Sequence, residues 1–343
     1  MARFILRNAA KVILLLFAVS LVTFALVSAS PIDPVQANVG QAAYISMSAE
    51  KRAQLAEYWG VGLPFWQRYG EWLSAALQGD MGMSLRYNAP VVNVIAQKAG
   101  NSLALMTCAW LLSGIIGGAL GIAAGAKRGS TLDRCVKAYC LVLASTPTFW
   151  LALVMLIVFS VQLGWFPLGF SVPIGVAASE VSFADTLHHM VLPALTLSVL
   201  GVANIALHTR EKTIDVLESD YIRFARARGL STWSALRRHG LRNLSLPAIT
   251  LQFASISEIF GGSVLVEQVF SYPGLGQAAV TAGLGGDAAL LAGIAVFSAA
   301  IVFAGNLTAN ILYGIIDPRI RKGGAHAYPS NLRRRSCRSS MRP

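Results

Sequence analysis

Charged side chains are scarce in this sequence: Asp, Glu, Lys and Arg together make up only 13% of its 343 residues. A soluble globular protein carries about 25% charged residues, which it needs to cover its surface. Hydrophobic residues make up 55% of the chain, a proportion that also excludes intrinsic disorder and a collagen-like repeat. The composition therefore predicts an integral membrane protein.

Cysteine is scarce as well, and the four cysteines form no pattern that indicates chemistry. There is no Cys-x-x-Cys pair and no spacing typical of metal ligands. Cys108, Cys135 and Cys140 lie in or beside apolar runs, where a free thiol behaves as a small hydrophobic group. The sequence therefore predicts no metal site and no disulfide framework.

The motifs of common catalytic sites are also absent. The sequence contains no Gly-x4-Gly-Lys-Ser/Thr phosphate loop, no His-Glu-x-x-His motif and no Gly-x-Ser-x-Gly motif. His188 and His189 are adjacent, so on a helix their side chains point about 100° apart, which is poor geometry for one metal ion. We interpret them as an interfacial pair, and we predict no catalytic residue, no bound cofactor and no enzymatic activity.

Long apolar runs, in contrast, are abundant. A membrane-spanning helix needs about 20 mainly apolar residues, and six segments meet this requirement, with approximate bounds of 12–29, 102–126, 138–163, 190–207, 246–266 and 290–311. Pro147 should kink the third segment or begin its apolar part. The first segment has the basic start of a signal peptide, but its apolar stretch is longer than usual, so we predict an uncleaved anchor.

The positions of the basic residues predict the orientation of these spans. The chain has 28 Lys and Arg residues against 16 Asp and Glu, a net charge of +12. Such an excess can indicate nucleic-acid binding, but in a membrane protein it follows more simply from the positive-inside rule. Four segments hold 23 of the 28: the N-terminal end, 127–137, 210–245 and the tail after residue 318. We therefore predict that both termini are cytoplasmic, that segment 30–100 is outside, and that the partner surface is the lipid bilayer and not nucleic acid.

The spans and charges divide the chain into four parts. Residues 1–30 form the N-terminal cytoplasmic end and the first span, and residues 31–100 form an extracytoplasmic segment with interfacial helices. Residues 101–322 form a five-helix core that includes the cytoplasmic loop 210–245. Residues 323–343 are rich in Gly, Ser and Arg, which predicts a disordered basic tail.

Two local patterns refine this division. Pro64 precedes an aromatic run with a helical period, which predicts a helix at the membrane interface, with a small soluble outer subdomain as the alternative. Gly117, Gly121 and Gly125 recur every four residues in the second span. Such rows let helix backbones approach closely, so this span should pack inside a bundle.

Two acidic residues lie in or at the end of the fifth span, Glu258 and Glu267. An ionised side chain near the middle of a bilayer costs about 3 kcal/mol or more, so such residues usually face a bundle interior or a polar path. Nine residues are 2.5 helical turns, so the two side chains need not share a face. We predict that they line a translocation path, with a helix-to-helix hydrogen bond as the alternative.

The cytoplasmic loop 210–245 is too long for a simple turn and too regular for disorder. Asp220 can cap a short helix through Ala227, Gly229 can end it, and Ser231 can cap a second helix. Tyr221 and Ala225 are one turn apart and should share a face. Many arginines surround these residues, so the loop is either a basic surface on anionic lipid or a docking knob for a cytoplasmic partner.

The residues of this loop resemble a known family. The run DYIRFARARGL at 220–230, followed by RHGLRN at 238–243 and Leu-Pro at 246–247, is similar to the coupling loop of ABC importer permeases, in the Arg-rich variant of the oligopeptide/dipeptide/nickel branch. Four further segments resemble motifs of that branch in the same order, namely GDMGMS at 79–84 with Pro-Val at 90–91, GGSVLVE at 261–267, PGLG at 273–276 and DPR at 317–319.

The sequence departs from the family pattern in three places, and the second and third departures concern the substrate more than the class. Arg223 and Phe224 occupy the acidic and first alanine positions of the general pattern, as is usual in this branch, and Ala225 and Gly229 remain. The stretch Arg-Asp-Tyr-Pro that usually precedes the sixth span is replaced by GDAA at 286–289. The basic tail beyond Lys322 is longer than usual.

The resemblance implies an all-α type I permease fold with six transmembrane helices and a large extracytoplasmic loop after the first, in a bacterial cytoplasmic (inner) membrane. It implies a homologous second permease, two ATP-binding subunits that use ATP and Mg²⁺, and an extracytoplasmic substrate-binding protein. The substrate would be a peptide or nickel, free or chelated. Coupling to the ATPase would fall on Asp220, Tyr221, Arg223, Ala225, Arg226 and Gly229.

Two other classes remain as alternatives at this stage. A stand-alone secondary transporter should show internal repeats with broken helices at matching places, which the sequence does not show. A membrane enzyme should show a constellation of nucleophile, base or metal ligands, which is also absent.

The predicted orientation can be tested by cysteine labelling in a background without the native cysteines. Lys51→Cys should react with an impermeant thiol reagent added outside, and Arg226→Cys only with reagent inside, because the two lie on opposite sides of the membrane. Labelling of both positions from the same side would overturn the proposed topology.

Overall fold

The computed structural model describes residues 2–58, 62–173 and 181–316. The terminal motif at 317–319 and the predicted disordered tail at 323–343 lie outside the described residues. Apart from one short hairpin, the described chain is helical, which confirms the predicted all-α membrane class.

The helices follow the chain in this order: α1 Ala2–Ser28, α2 Pro34–Val39, α3 Gln41–Ser46, α4 Ala49–Tyr58, α5 Phe65–Ala76, α6 Val91–Ala126, α7 Thr131–Ala144, α8 Thr148–Met155, α9 Phe183–Leu217, α10 Asp220–Ala227, α11 Thr232–Ala235, α12 Leu241–Ala254, α13 Ile256–Val269, α14 Leu275–Leu284 and α15 Ala288–Ile316. Two π-helical segments, Leu156–Gln162 and Leu236–Gly240, continue α8 and α11. Strands β1 Met83–Ser84 and β2 Ala89–Pro90 form an antiparallel hairpin before α6.

Three helices of the described chain are long and apolar enough to cross a membrane on their own: Ala10–Ser28, Val91–Ala126 and Ala288–Thr308. Two bent pairs bring the number of candidate spans to five. The predicted fifth span, 246–266, is covered by α12 and α13, each of 14 residues, with Ser255 between them. Either helix alone is too short to span a bilayer, so the count of six spans stays a prediction.

The third predicted span shows the effect of its proline. Pro147 immediately precedes α8, and α7 meets α8 with its π-helical extension at 109°. Proline has no N–H to donate to the preceding turn, so the helix breaks there. A break at Pro147 is therefore confirmed, but the bend is much larger than a kink.

The fourth predicted span extends further than its apolar residues. We expected it to end near residue 207, whereas α9 continues to Leu217. Residues 210–217, which we placed in the cytoplasmic loop, are therefore helical. Residues 210–212 are three consecutive charged side chains and Asp215 is a fourth, so the apolar pattern could not mark the end of the helix.

The glycine row of α6 packs directly against α9. A Cβ at Gly121 would lie 2.6 Å from the Ala206 carbonyl oxygen and 2.6 Å from the Thr209 Cβ. A Cβ at Gly125 would lie 2.6 Å from the Thr213 Cβ, and Gly117 makes the same kind of approach. The predicted close packing of this span is confirmed, and α9 is the helix that it packs against.

The predicted aromatic helix is also present, as α5 after Pro64. Its inner face packs on α1: Tyr69 is buried against Phe24, and the Tyr69 hydroxyl shares a 2.9 Å hydrogen bond with Ser20. The outer segment is thus attached to the first predicted span. Its placement at the membrane interface stays a prediction.

The α6–α9 contact can be tested with a matched pair of glycines. Gly121→Ala should lower the thermal stability of the detergent-solubilised protein by the equivalent of about 1–3 kcal/mol, because the new methyl group has no space. Gly118→Ala is the control, since an added Cβ there would meet no atom of the described chain within 4 Å. Equal melting temperatures for the two variants would contradict the packing.

Candidate functional site

The loop that we predicted to be cytoplasmic folds into a compact knob, which we define as residues 219–244. Ser219 occupies the position before α10, so Asp220 is the first residue of the helix and not its cap as predicted. A carboxylate in the first turn still stabilises the helix N-terminus. The predicted end of this helix at Ala227 is confirmed.

Gly229 ends the first helix of the knob as predicted. Its φ is +90°, a left-handed conformation that a side chain disfavours, and its N–H donates to the Arg226 carbonyl. The Leu230 N–H donates back to the Ala225 carbonyl, which closes the turn. The second cap is confirmed too, because the Ser231 hydroxyl accepts from the Ser234 N–H at 3.3 Å.

The interior of the knob corrects one prediction about its faces. Ala225 is only 7% exposed and packs with Ile222 and Leu236, whereas Tyr221 is 42% exposed. The two residues do not share the outward face. The predicted helical period of α10 is observed. Its buried apolar side, however, is formed by Ile222 and Ala225.

The outward face of the knob combines aromatic rings with cations. The Phe224 side chain is 65% exposed, and the Arg228 guanidinium lies 5.9 Å from its ring centroid. The Tyr221 hydroxyl accepts a 2.7 Å hydrogen bond from the Asn243 side-chain amide, which fixes the ring. Arg223 and Arg226 line an open cleft of about 550 Å³ beside these rings.

The knob is joined firmly to the helix bundle. At its base Arg128 donates a 2.6 Å hydrogen bond to Glu218, and about two turns earlier on α9 Arg210 binds Asp133 through two nitrogens. The Asp133 side chain is 1% exposed, so this second pair is buried, and removal of one partner would leave an uncompensated charge. The buried pair therefore ties α7 to α9, the helix that leads into the knob.

The structure places Glu267 in a buried junction near the end of α13. Its carboxylate is 0% exposed and accepts three hydrogen bonds: from the Ser102 hydroxyl at 2.6 Å, the Gly276 N–H at 2.7 Å and the Gln277 N–H at 3.1 Å. The last two donors belong to the first turn of α14, so Glu267 caps that helix from outside.

The glycines of the PGLG motif make room for this carboxylate. A Cβ at Gly274 would overlap the Glu267 carboxyl group, and a Cβ at Gly276 would lie 2.6 Å from the Val264 Cα. The backbone of the PGLG motif thus packs directly against the buried Glu267 carboxylate. Our expectation that Glu267 lines the translocation path stays untested, but the observed contacts are those of the alternative that we gave, a helix-to-helix hydrogen bond.

Glu258 has the opposite environment. Its side chain is exposed on α13, nine residues before Glu267 and half a turn away around the helix. The structure therefore separates the two carboxylates that the sequence grouped together. The path-lining role of Glu258 stays a prediction.

A further buried acid, Asp287, was not singled out by the sequence. It is 0% exposed, accepts a 2.7 Å hydrogen bond from the Ser84 hydroxyl, and caps α15 through the Leu290 N–H. It thereby ties the hairpin of the outer segment to the last helix. Beside it, burial raises the pKa of the Tyr87 phenol. In the sequence, two features pointed to this contact: Ser84, the last residue of the GDMGMS motif, and the unusual GDAA stretch at 286–289.

These features define a class: a multi-pass helical membrane protein with a compact knob of short helices between two of its longer ones. Comparison with known families then gives its relationship. The family described as binding-protein-dependent transport system inner membrane component matches residues 117–322, and the N-terminal domain of the same family matches residues 1–106. The chain therefore belongs to this family, and the resemblance of its motifs is confirmed.

Three relatives indicate where in the family the chain lies. It is 36% identical over 321 residues to the oligopeptide transport system permease protein AppB of Bacillus subtilis (strain 168), with 93% of this chain and 99% of the relative covered. It is 32% identical to the dipeptide transport system permease protein DppB of Escherichia coli (strain K12), with coverage of 94% and 99%. A putative peptide transport system permease protein of Brucella abortus (strain 2308) is 33% identical, also with 94% and 99% covered. The chain is thus a transport permease of the inner membrane and not an enzyme.

The contrast between the two carboxylates gives a testable prediction. Glu267→Gln should weaken the cap of α14, because an amide group replaces one acceptor oxygen, and should cost about 1–3 kcal/mol. Amide hydrogen exchange of residues 275–284 should become faster. Glu258→Gln is the matched control on the same helix and should leave this exchange unchanged; equal protection in both variants would contradict the junction.

Proposed function

We propose that this chain is one of two homologous permease subunits of an ATP-driven peptide importer. Its partners would be the second permease, two ATP-binding subunits that consume ATP with Mg²⁺, and an extracytoplasmic substrate-binding protein. The family membership supports the existence of such partners in general. The observation that carries the proposal for this chain is the outward face of the knob.

The outward face has the composition of a protein interface. Exposed Phe224 and Tyr221 lie among arginines, and aromatic residues and arginine are the residue types enriched at the centres of protein interfaces. The Tyr221 ring is already held by Asn243, so little side-chain entropy would be lost when a partner covers it. Arg223 and Arg226 could pair with acidic groups of the partner.

The alternative of a basic surface on anionic lipid fits these contacts less well. Lipid attraction depends mainly on the number of basic residues near the surface and requires no defined shape. The knob instead has a packed core, two short helices joined by a closed turn, and a cleft between them. Such order is what a docking partner requires.

The knob also has a route to the bundle. Its core contains Val216 at the end of α9 and Leu244 near the beginning of α12. A force on α10 would therefore act on two long helices at once. In our proposal, the opening and closing of the ATP-binding subunits displaces the knob, and α9 and α12 transmit that movement to the substrate path.

The relatives support a peptide as substrate. AppB and DppB are named for oligopeptides and dipeptides, and the Brucella abortus relative for peptides. We therefore choose peptides over nickel. We also propose that both chain termini are cytoplasmic, because the knob and most of the basic residues then lie on the side where ATP is available.

The docking role can be tested at Gly229. Gly229→Leu should leave membrane insertion and pairing with the second permease intact, but the strained turn and the added side chain should reduce retention of the ATP-binding subunits at least tenfold and abolish peptide uptake. The measurements are pull-down of the ATP-binding subunits and uptake in vesicles.

Gly79→Leu is the matched control for this experiment. Gly79 is also left-handed, at φ +91°, it also follows the end of a helix, and like Gly229 it has no atom of the described chain within 4 Å of an added Cβ. It lies between α5 and the hairpin, far from the knob in the chain, so the same strain there should leave ATPase retention unchanged. Normal retention in Gly229→Leu, with loss only when several arginines are neutralised, would favour the lipid surface and overturn the proposal.

A further inference from the structure

One face of α13 is uncovered along its whole length. The exposed residues recur at intervals of three or four, which places them in a single stripe: Ala254 just before the helix, then Glu258, Gly261, Leu265 and Gln268. The residues between them, such as Ile259 and Val266, are buried in the bundle. We call these five exposed residues the α13 stripe.

The α13 stripe differs from a lipid-facing surface of the same molecule. On α1 the exposed positions are large and apolar, with Ile13 and Leu14 both 68% exposed, and Phe17, Val22 and Leu26 continue the surface. In the α13 stripe only Leu265 is of that kind. Carboxylate, amide and bare backbone occupy most of the rest, although the helix belongs to the predicted fifth span.

Lipid is therefore a poor occupant for this face. Glu258 lies near the middle of the predicted fifth span, 246–266, where contact of a carboxylate with hydrocarbon costs about 3 kcal/mol or more. Gly261 adds a recess, since an added Cβ there would meet no described atom within 4 Å. A polar, recessed stripe in the middle of a span is suited to an aqueous path.

We propose that the α13 stripe is this chain's wall of the translocation path and that Glu258 receives the positively charged amino group of the substrate. This inference rests on the proposed function, because a peptide supplies that ammonium group. The chemistry is complementary: an ammonium group offers three donors and one positive charge to a carboxylate. Gly261, one turn away, leaves space beside Glu258 for the chain that follows the amino group.

Glu258 also has a structural contribution that the test must separate. It lies in the first turn of α13, where an acidic side chain favours the helix N-terminus by about 0.3–1 kcal/mol. Such a contribution would affect stability, but it would not make the surface accessible to water or selective for cations. Accessibility and charge preference are therefore the properties to measure.

The first experiment measures both properties without any transport. Ala254→Cys and Gly261→Cys, each in a background without the native cysteines, flank Glu258 by one turn on either side. Both should react with small hydrophilic thiol reagents, and a cationic reagent should react about tenfold faster than an anionic one of the same size, because of the neighbouring carboxylate. Leu26→Cys on the α1 surface is the matched control, and it should react with neither reagent.

Glu258→Gln in the same two cysteine backgrounds should bring the ratio of the two rates close to one while both positions stay reactive. Absence of reaction at Ala254→Cys and Gly261→Cys would show that lipid or protein covers the stripe and would overturn the inference. So would a tenfold ratio that persists in Glu258→Gln. Because this test needs no ATPase subunit, its outcome is independent of the docking proposal.

Uptake then connects the stripe to transport. In the assembled importer, Glu258→Gln should lower peptide uptake at least fivefold while the ATP-binding subunits stay bound, and Glu258→Asp should restore most of it because the charge is kept. A variant that keeps wild-type uptake would overturn the role of Glu258. If Glu258→Asp lost as much uptake as Glu258→Gln, the role of Glu258 would also be overturned, because ammonium recognition needs only the negative charge, which Asp keeps.

Discussion

The close contact between α6 and α9 is the constraint on which the other features depend. It exists because Gly117, Gly121 and Gly125 leave no side chain between the two backbones. Packing of this kind is the main attraction between helices in a bilayer, where lipid removes the hydrophobic driving force. The two long helices therefore form one packed unit with two functional ends. The outer end of α6 carries Ser102 into the Glu267 junction, and the inner end of α9 leads into the knob.

This arrangement explains why polar interactions are concentrated at the ends of the bundle. At the end that carries the knob the buried Asp133–Arg210 pair fixes α7 to α9, and at the opposite end Glu267 and Asp287 cap α14 and α15. Each of these buried charges has its hydrogen-bonding partners in place, which is the condition for burying a charge without a large penalty. The middle of the bundle is held by packing, and the ends by directional bonds.

The parts that the sequence predicted correctly are those determined by local spacing. The limits of α10, the left-handed Gly229, the Ser231 cap and the glycine row each depend on residues within a few positions of one another. The end of α9 escaped prediction because its last turns are polar and their helical state is stabilised by packing on Gly121 and Gly125. Propensity is a weak guide where tertiary contacts decide.

The candidate site shows the same limit more sharply, because its two carboxylates looked alike in the sequence. Glu267 differs from Glu258 only through Ser102, 165 positions earlier in the chain, and through two N–H groups of a helix that follows it. No pattern within α13 carries that information. Once those contacts are known, the chemistry of the two acids separates: a carboxylate whose oxygens already accept three bonds has little capacity left for a passing substrate. An exposed carboxylate on the uncovered face keeps its full acceptor capacity, and only such a group can bind a cation reversibly and release it.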